Sequence, residues 1–352
     1  MSGALINLVS KGVQDAFITG DPQVSFFRQN YKRHTNFAMK PVEINGIGVN
    51  GSSAQLTFKV ENKGDLLAGV WLDLGTEGTI EIGGTPSVQI GIANTPTSFE
   101  LWVGGKMIDR QDAFYIDALW SKFLSTSSSK STRPSLMNAA AGQAWFPLHF
   151  FHCDNSTTPL PLVALQYQEV EIRINQSSAA GTHEIKMYGE YIQLDTTERQ
   201  WFTEQGHDML ITQVQRIQAD VNGSDLIYLN HPVKALMWGE ESNDPKTSNV
   251  QLYVNGTQYF NSEMFINYFN QITPYYHSES TQRGAMTGEK DLFMFPFGME
   301  VNRHQPTGTL NFSRVDNAKF VWSADASPLY LYAVNYNIFR IESGLGGVRF
   351  SN

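Results

Sequence analysis

The chain has 352 residues, of which 41% are apolar and 17% are charged, below the share of roughly 25% charged residues that is usual in soluble domains. Its one cysteine excludes an intrachain disulfide, and no apolar run reaches the ~18–20 residues of a membrane span. The net charge is −9, but the first 40 residues carry +3 and the remainder −12, which excludes general nucleic-acid binding by the acidic body.

Residues 19–38 form a basic and aromatic segment ahead of the first core-like stretch. Asp21 and Pro22 are typical of a helix N-cap and first helical position, so we predict a short helix over residues 22–30. Its aromatic side chains either pack under the following domain or dock on a partner, and both interpretations stay open. The residues that we expect to form this docking arm are Phe26, Phe27, Arg28, Tyr31, Lys32 and Arg33.

Beyond the arm, short segments alternate between apolar and polar residues. Residues 55–60 and 170–174 alternate at every position, which is typical of strands with one buried face. Roughly eight such segments in each half have the spacing of β-sandwiches. The pattern predicts an all-β fold of two tandem eight-stranded antiparallel jelly rolls, with short helices in loops and an N-terminal arm.

One strand–turn–strand–helix pattern occurs twice, as SFELWVGGKMIDRQDAFYIDALWSKF and as NVQLYVNGTQYFNSEMFINYFNQITPYY. Its shared positions lie 151 residues apart and are Leu101, Val103, Gly105 and Phe114 in the first copy and Leu252, Val254, Gly256 and Phe265 in the second. LLAGVWLDL and WFPLHF match VKALMWG and MFPFGM, with Trp71 aligned to Trp238. We infer a duplicated domain, with an arm over residues 1–40 and jelly rolls over 41–203 and 204–352.

Candidate chemistry is sparse in this sequence. The stretch WFPLHFFHCD holds four residues of metal-ligating types, which are His149, His152, Cys153 and Asp154. It contains neither an HxH pair nor a CxxC pair, so we expect no metal site there. Glu169 and Glu171 are interpreted as the solvated side of a strand, and no GxSxG, P-loop or GxGxxG motif occurs. We therefore expect no enzyme and no cofactor.

The N-terminal GALINLVSKGVQDAFITGDPQVSFFRQNYKRHTNFA closely resembles the signature of the major capsid proteins of nucleocytoplasmic large DNA viruses, among them phycodnaviruses and iridoviruses. PLVALQYQEVEIRI, TGTLNFSRVDNAKFVW and the C-terminal YAVNYNIFRIESGLGGVRFSN resemble further blocks of that family. The resemblance touches nearly the whole chain. It implies a structural capsid protein with a double jelly roll, whose homotrimers of nearly hexagonal outline tile the icosahedral shell of a large double-stranded DNA virus.

The same resemblance implies partners and a location. Each trimer would contact neighbouring capsomers and minor capsid proteins in a virion assembled in the host cytoplasm, without sequence-specific nucleic-acid binding. The arm would lie at the inner face near an internal membrane, where a basic residue is worth about 1 kcal/mol against anionic lipid. Two alternatives stay open: a minor capsid paralogue, and a jelly-roll protein for glycan binding or host attachment with Trp102 or Trp120 as its aromatic platform.

Overall fold

A computed structural model describes residues 12–47, 55–75, 97–132, 144–175, 185–219, 224–239, 250–260, 268–279, 292–321 and 329–351. The chain divides into two compact units, Met1–Asn36 and Phe37–Asn352. Within the described ranges, no helix has both the length and the apolar character that crossing a membrane requires.

The arm contains a four-residue helix, Ala16–Thr19, and the helix predicted over residues 22–30 is wrong. Asp21 has a φ of 45°, whereas an N-cap residue needs an extended backbone. A helix of about nine residues is also marginal in water unless tertiary packing supports one face, and the side chains along this segment are exposed. The arm is also shorter than predicted, because Phe37–Ile44 pairs as a strand with the body.

Ten strands of residues 37–194 form two antiparallel sheets, together called the first sandwich. The first sheet has the order β1-β10-β4-β7, with β8 paired to β4; its strands are β1 (Phe37–Ile44), β4 (Leu66–Gly75), β7 (Ala144–Leu148), β8 (Leu160–Pro161) and β10 (Lys186–Leu194). The second has the order β2-β3-β9-β5-β6; its strands are β2 (Gly46–Ile47), β3 (Gln55–Val60), β5 (Ser98–Val103), β6 (Lys106–Asp112) and β9 (Val170–Asn175). The two sheets face each other, because Phe99 of β5 stacks on Phe146 of β7 with 5.5 Å between ring centroids.

The linker helix, Thr196–Glu204, leads into the second sandwich, which comprises the strands of residues 207–348. Its first sheet has the order β11-β19-β13-β16, with β17 on β13 and β20 on β19; these are β11 (His207–Ala219), β13 (Pro232–Gly239), β16 (Leu292–Pro296), β17 (Leu310–Asn311), β19 (Leu329–Glu342) and β20 (Leu345–Val348). Its second sheet has the order β12-β18-β14-β15; these are β12 (Ser224–Leu226), β14 (Gln251–Val254), β15 (Thr257–Phe260) and β18 (Ala318–Val321). Trp238 of β13 and Phe320 of β18 join the two sheets with 5.4 Å between ring centroids.

The strand orders confirm the duplication. The sheet β1-β10-β4-β7 of the first sandwich corresponds strand by strand to β11-β19-β13-β16 of the second. The sheet β3-β9-β5-β6 corresponds in the same way to β12-β18-β14-β15. Each sandwich therefore contains the predicted eight-stranded arrangement. The hairpin turns also match, since Gly104 and Gly105 have φ of 57° and 77°, and Asn255 and Gly256 have 51° and 78°. Positive φ at both central residues is the requirement of a type I′ turn, which explains the glycines and the Asn-Gly pair.

The register corrects one part of the repeat alignment. Trp71 lies opposite Pro147 in the first sandwich, and Ala235 lies opposite Pro296 in the second, so Trp71 corresponds to Ala235. The predicted match between Trp71 and Trp238 is therefore wrong by three positions. An odd shift reverses the face of a strand, and Trp238 is indeed fully buried in the second core whereas Trp71 is half-buried.

Candidate functional site

The two sandwiches meet along a buried junction. Alternate residues of β13 point to opposite faces: Leu236 and Trp238 belong to the core of the second sandwich, whereas Ala235 and Met237 belong to the apolar cluster of the first. All four side chains are fully buried. A strand covered on both faces needs a nearly continuous apolar run, which accounts for PVKALMWG.

A helix of the first sandwich forms the other side of this junction. The junction helix, Tyr115–Leu124, has π-type hydrogen bonding, and every one of its side chains is buried. It follows β6 directly and packs against β13 and β16 of the second sandwich. Tyr332 of β19 contacts the rings of Phe114 and Tyr115, with centroids 6.1 and 5.8 Å away. The junction thus has the apolar character of a domain core.

An ion pair is embedded in the junction. Arg216 Nη1 donates to Asp112 Oδ2 at 2.9 Å, and the hydroxyl of Tyr332 donates to the same oxygen at 3.2 Å. The guanidinium also lies 5.1 Å from the ring centroid of Tyr330. Burial raises the pKa of Asp112, and Arg216 and Tyr332 partly counteract this. The pair therefore links β6 of one sandwich to β11 and β19 of the other.

A second carboxylate, that of Asp109, connects the two sandwiches and has only uncharged hydrogen-bond donors among the described residues. Asp109 accepts a hydrogen bond from the backbone N–H of Val214 at 3.0 Å and one from Gln111 Nε2 at 2.8 Å. Its side chain is 3% exposed, and burial raises its pKa to about 6 despite those donors. The protonation state of Asp109 is consequently sensitive to mildly acidic pH, and its titration acts on the contact between the sandwiches.

In the second sandwich, the junction helix covers the outer face of the sheet that contains β13. The equivalent face of the first sandwich, on the sheet that contains β4, is accessible to solvent. Trp71 and Tyr188 stack with 6.1 Å between ring centroids and are half-buried, and Trp145 beside them is 40% exposed. The counterpart of the junction helix follows β15 and ends with Thr273–His277. There Tyr275 and Tyr276 are 58% and 70% exposed. The junction consists of an outer sheet face and a helix, and the equivalents of both in the other sandwich lie at the surface of the chain.

The two histidines of WFPLHFFHCD have different partners in the structure. His149 stacks on Trp120 at 3.4 Å between centroids, and its Nδ1 lies 3.0 and 3.1 Å from the carboxylate oxygens of Asp154. His152 Nδ1 lies instead 2.8 Å from the carbonyl oxygen of Ala68. Within the described residues, no group of three or more His, Cys, Asp or Glu side chains is placed to hold a metal ion.

Burial and neighbouring charges determine the protonation of this turn. Burial lowers the pKa of His152 to about 4 and raises the pKa of the Cys153 thiol, so both groups are neutral at physiological pH. Burial disfavours the Asp154 carboxylate, but His149 and Lys130 outweigh it and hold the pKa below its usual value. His152 Nε2 is buried without a hydrogen-bond partner among the described residues, and Cys153 lacks the reactive thiolate that a nucleophile needs.

The two tryptophans considered as a glycan platform are engaged elsewhere. Trp120 is 5% exposed within the junction helix. Trp102 is half-buried; Arg173 lies 4.1 Å from its ring centroid, and its Nε1 donates to Glu100 at 2.9 Å. Neither ring is an open aromatic surface of the kind that stacks on a sugar. The two carboxylates predicted on the solvated side of a strand form ion pairs. Glu169 pairs with Lys59, and Glu171 pairs with Arg173.

The six arm residues are all accessible within their own unit. Phe26, Phe27 and Tyr31 are 94%, 99% and 77% exposed, and the neighbouring Arg28, Lys32 and Arg33 are exposed as well. Contiguous exposed apolar patches are typical of interaction sites. The docking role of these residues stays a prediction.

Comparisons with known proteins give one consistent result. A family model described as "Major capsid protein N-terminus" matches residues 25–255, and one described as "Large eukaryotic DNA virus major capsid protein" matches residues 240–347. The major capsid protein of Pyramimonas orientalis virus is 30% identical over 401 aligned residues, and that of Paramecium bursaria Chlorella virus 1 is 29% identical over 448. Both alignments cover 100% of this chain and 100% of the relative.

Solved structures show the same fold. PBCV-1 VP54 superposes with a TM-score of 0.76 at 22% identity, covering 93% of this chain and 100% of that one. The Faustovirus major capsid protein superposes with a TM-score of 0.64 at 9% identity, covering 95% of each chain. The eight-stranded arrangement found twice here is accordingly the double jelly roll. Because both family models match and a 30% identical relative aligns over its full length, the chain belongs to the family of major capsid proteins of large eukaryotic DNA viruses, and its function is structural rather than enzymatic.

Proposed function

We propose that three copies of this chain form a trimer of nearly hexagonal outline, which tiles an icosahedral shell beside neighbouring capsomers. The observation that carries this proposal is the junction between the sandwiches, whose two component surfaces recur at the outside of the same chain. An interface that repeats around a ring closes when the rotation is right, and six similar sandwiches from three chains supply such a ring. The division into an arm and two jelly rolls remains a proposal, with the first jelly roll beginning at strand Phe37–Ile44 rather than at residue 41 and the second beginning at residue 204.

The contact between chains would repeat the contact within the chain. The outer face with Trp71, Trp145 and Tyr188 on one copy would cover the helix with Tyr275 and Tyr276 on the next, as the outer face of β13 covers the junction helix. Permanent interfaces bury roughly 2,000–5,000 Å², so these five partly exposed aromatic side chains would form the centre of the contact and neighbouring side chains would supply the remaining area.

We propose further that the arm docks beneath the capsomer, on minor capsid proteins or on anionic lipid of an internal membrane, during assembly in the host cytoplasm. The support is the net charge of +3 in the first 40 residues, set against the acidic remainder, together with the exposed aromatic rings of Phe26 and Phe27. Basic residues attract an anionic surface, and aromatic rings settle at its interface.

The trimer is tested by light scattering on the purified full chain, whose mass should be three times 39.5 kDa. Trp145→Asp should shift the mass toward that of one chain, because it places a charge in the proposed contact. Trp201→Asp is the matched control, since Trp201 is 55% exposed on the linker helix and should leave the mass unchanged. A parent protein that stays monomeric at high concentration would contradict the trimer.

The arm needs a separate experiment. Replacing Arg28, Lys32 and Arg33 together by Glu should abolish sedimentation with phosphatidylserine vesicles and impair shell assembly, while the trimer mass stays the same. The matched control makes the same three replacements in the body, at the exposed Lys106 and Lys186 and at Lys319. If shell assembly is unaffected by the arm variant, the docking role is excluded; if only vesicle binding is unaffected, the partner is protein rather than lipid.

A further inference from the structure

A cavity lies between the two sandwiches, apart from the contacts proposed for assembly. Its volume is about 590 Å³, within the range of roughly 300–1,000 Å³ that is usual for sites of small molecules. Val301 and Val334 contribute buried apolar wall, and the exposed Ser156 and Arg303 lie at its rim. The cavity therefore combines a buried interior with access from solvent.

A lysine has been brought to this cavity by an irregularity in the sheet. Lys234 sits between Val233 and Ala235, where the pairing of β13 with β19 shifts register, so it is the extra residue of a β-bulge. Val233 belongs to the second core and Ala235 to the junction cluster. A bulge redirects a side chain that regular alternation would send into one of those cores. Lys234 instead lines the cavity and is 7% exposed.

The ammonium group of Lys234 lacks a counter-ion in the described part of the chain. Its Nζ makes no hydrogen bond there and has no carboxylate within 4 Å; its nearest recorded contact is the ring of Tyr336, with the centroid 5.6 Å away. Burial lowers its pKa to about 8, with Asp154 acting in the opposite direction from a distance. An isolated buried cation is costly unless something compensates its charge.

The other charged groups around the cavity are already compensated. Asp154 accepts hydrogen bonds from Lys130 and lies within 3.0 Å of His149, and Glu279 lies 3.7 Å from Arg303. Burial and the charge of Lys234 lower the pKa of His304, which disfavours a second cation in the cavity. The site thus offers one uncompensated cation beside a buried apolar wall.

We propose that this cavity binds a small organic carboxylate, with its carboxylate on Lys234 and its apolar body against Val301 and Val334. A carboxylate supplies the missing counter-charge through a charge-assisted hydrogen bond, which is the strong kind. Inorganic anions would leave the apolar wall uncovered. Such a ligand would brace the two sandwiches against each other, because the cavity is lined by residues of both, such as Phe150 of the first and Lys234 of the second.

The test is calorimetric titration of the full chain with mandelate, which has a carboxylate, a hydroxyl and an apolar ring. Saturable binding is expected, with 1-phenyl-1,2-ethanediol, its uncharged analogue, binding at least tenfold more weakly. Lys234→Met should weaken mandelate binding at least tenfold, which is about 1.4 kcal/mol and the lower end for a charged hydrogen bond. Lys106→Met, the same change at an exposed site, should bind as the parent does.

The melting temperature of Lys234→Met without ligand shows whether Lys234 has a stabilising partner inside the fold. Lys234→Met should melt at or above the parent temperature, because it removes an uncompensated buried charge. A lower melting temperature would mean that Lys234 has a partner inside the fold, and this overturns the proposal. So does the absence of saturable binding to the parent, equal binding by Lys234→Met, or equal affinity for the diol.

Discussion

The Asp112–Arg216 pair offers a direct measurement of how strongly the two sandwiches hold each other. Asp112→Asn keeps the shape of the side chain but removes the charge that faces Arg216 at 2.9 Å. Removing one partner of a fully buried pair costs roughly 3–5 kcal/mol. Because the Arg216 side chain is 26% exposed and can be partly hydrated, we expect a smaller loss, about 2–3 kcal/mol.

The reverse change tests the other partner. Arg216→Met leaves a carboxylate whose side chain is 5% exposed, with the Tyr332 hydroxyl as its remaining donor at 3.2 Å. Loss of the cation further raises the pKa of Asp112, and protonation then limits the loss of stability to about 3 kcal/mol. The double variant should lose less than the sum of the single losses, with a coupling energy of about 2 kcal/mol.

The assay is guanidinium-induced unfolding of the parent, both single variants and the double variant, at neutral pH and one protein concentration. The control cycle uses Lys59 and Glu169, which are 3.0 Å apart but 46% and 73% exposed, and its coupling energy should be well below that of Asp112 and Arg216. Additive losses at Asp112 and Arg216, within about 0.5 kcal/mol, would refute the claim that this pair joins the sandwiches.

Three further predictions use other contacts of the described body. Arg199→Met should lower the midpoint of denaturant-induced unfolding, because it breaks the contacts of 2.8 and 2.9 Å to buried Asp65, and the exposure of Arg199 makes the loss smaller than that at Arg216; an unchanged midpoint would contradict this. Because burial raises the pKa of Asp109 to about 6, the native state takes up a proton at higher pH than the unfolded state does. The parent should therefore gain about 2 kcal/mol relative to Asp109→Asn as the pH falls from 7 to 4, and a difference between them that is independent of pH would contradict the burial argument. Met237→Ala should cost about 2–5 kcal/mol by calorimetry, because the side chain is fully buried in the junction, and a loss below about 1 kcal/mol would contradict that packing.

Local patterns in the sequence were sufficient for the strands and their turns. Alternation identified β3 and β9, and the two hairpin turns followed from residues that accept a positive φ. The duplication was also visible, because both copies repeat the same local signals in the same order. The alignment of Trp71 with Trp238 failed, since matching one large side chain ignored the period of two that assigns residues to faces.

The arm shows where local signals mislead. Asp21-Pro22 resembles a helix start, but no apolar face of residues 22–30 is covered within the described unit, and propensity alone does not sustain so short a helix. Composition nevertheless identified the arm as basic and aromatic, and its exposure agrees with that description. The role of Phe26, Phe27 and their basic neighbours depends on a partner, about which local sequence carries no geometric information.

The junction was detectable in part. PVKALMWG is apolar on both faces of its strand, which is the mark of burial on both sides, and that signal could have singled out β13. The partners across the junction are a different matter, because Asp112 and Arg216 are 104 positions apart and Asp109 and Val214 are 105 apart. Local periodicity covers only a few residues and therefore does not predict either contact.

The amino-acid sequence by itself determined the all-β class, the two equivalent jelly rolls, the turns and the charge contrast between arm and body, because each follows from backbone preferences and side-chain spacing over a few residues. Only the tertiary structure decided which outer sheet face is covered within the chain, which carboxylates lose their solvent, and that Lys234 turns from the strand into a cavity. Those outcomes depend on surfaces that meet across a hundred or more residues, and the burial that results sets their free energies and their pKa values.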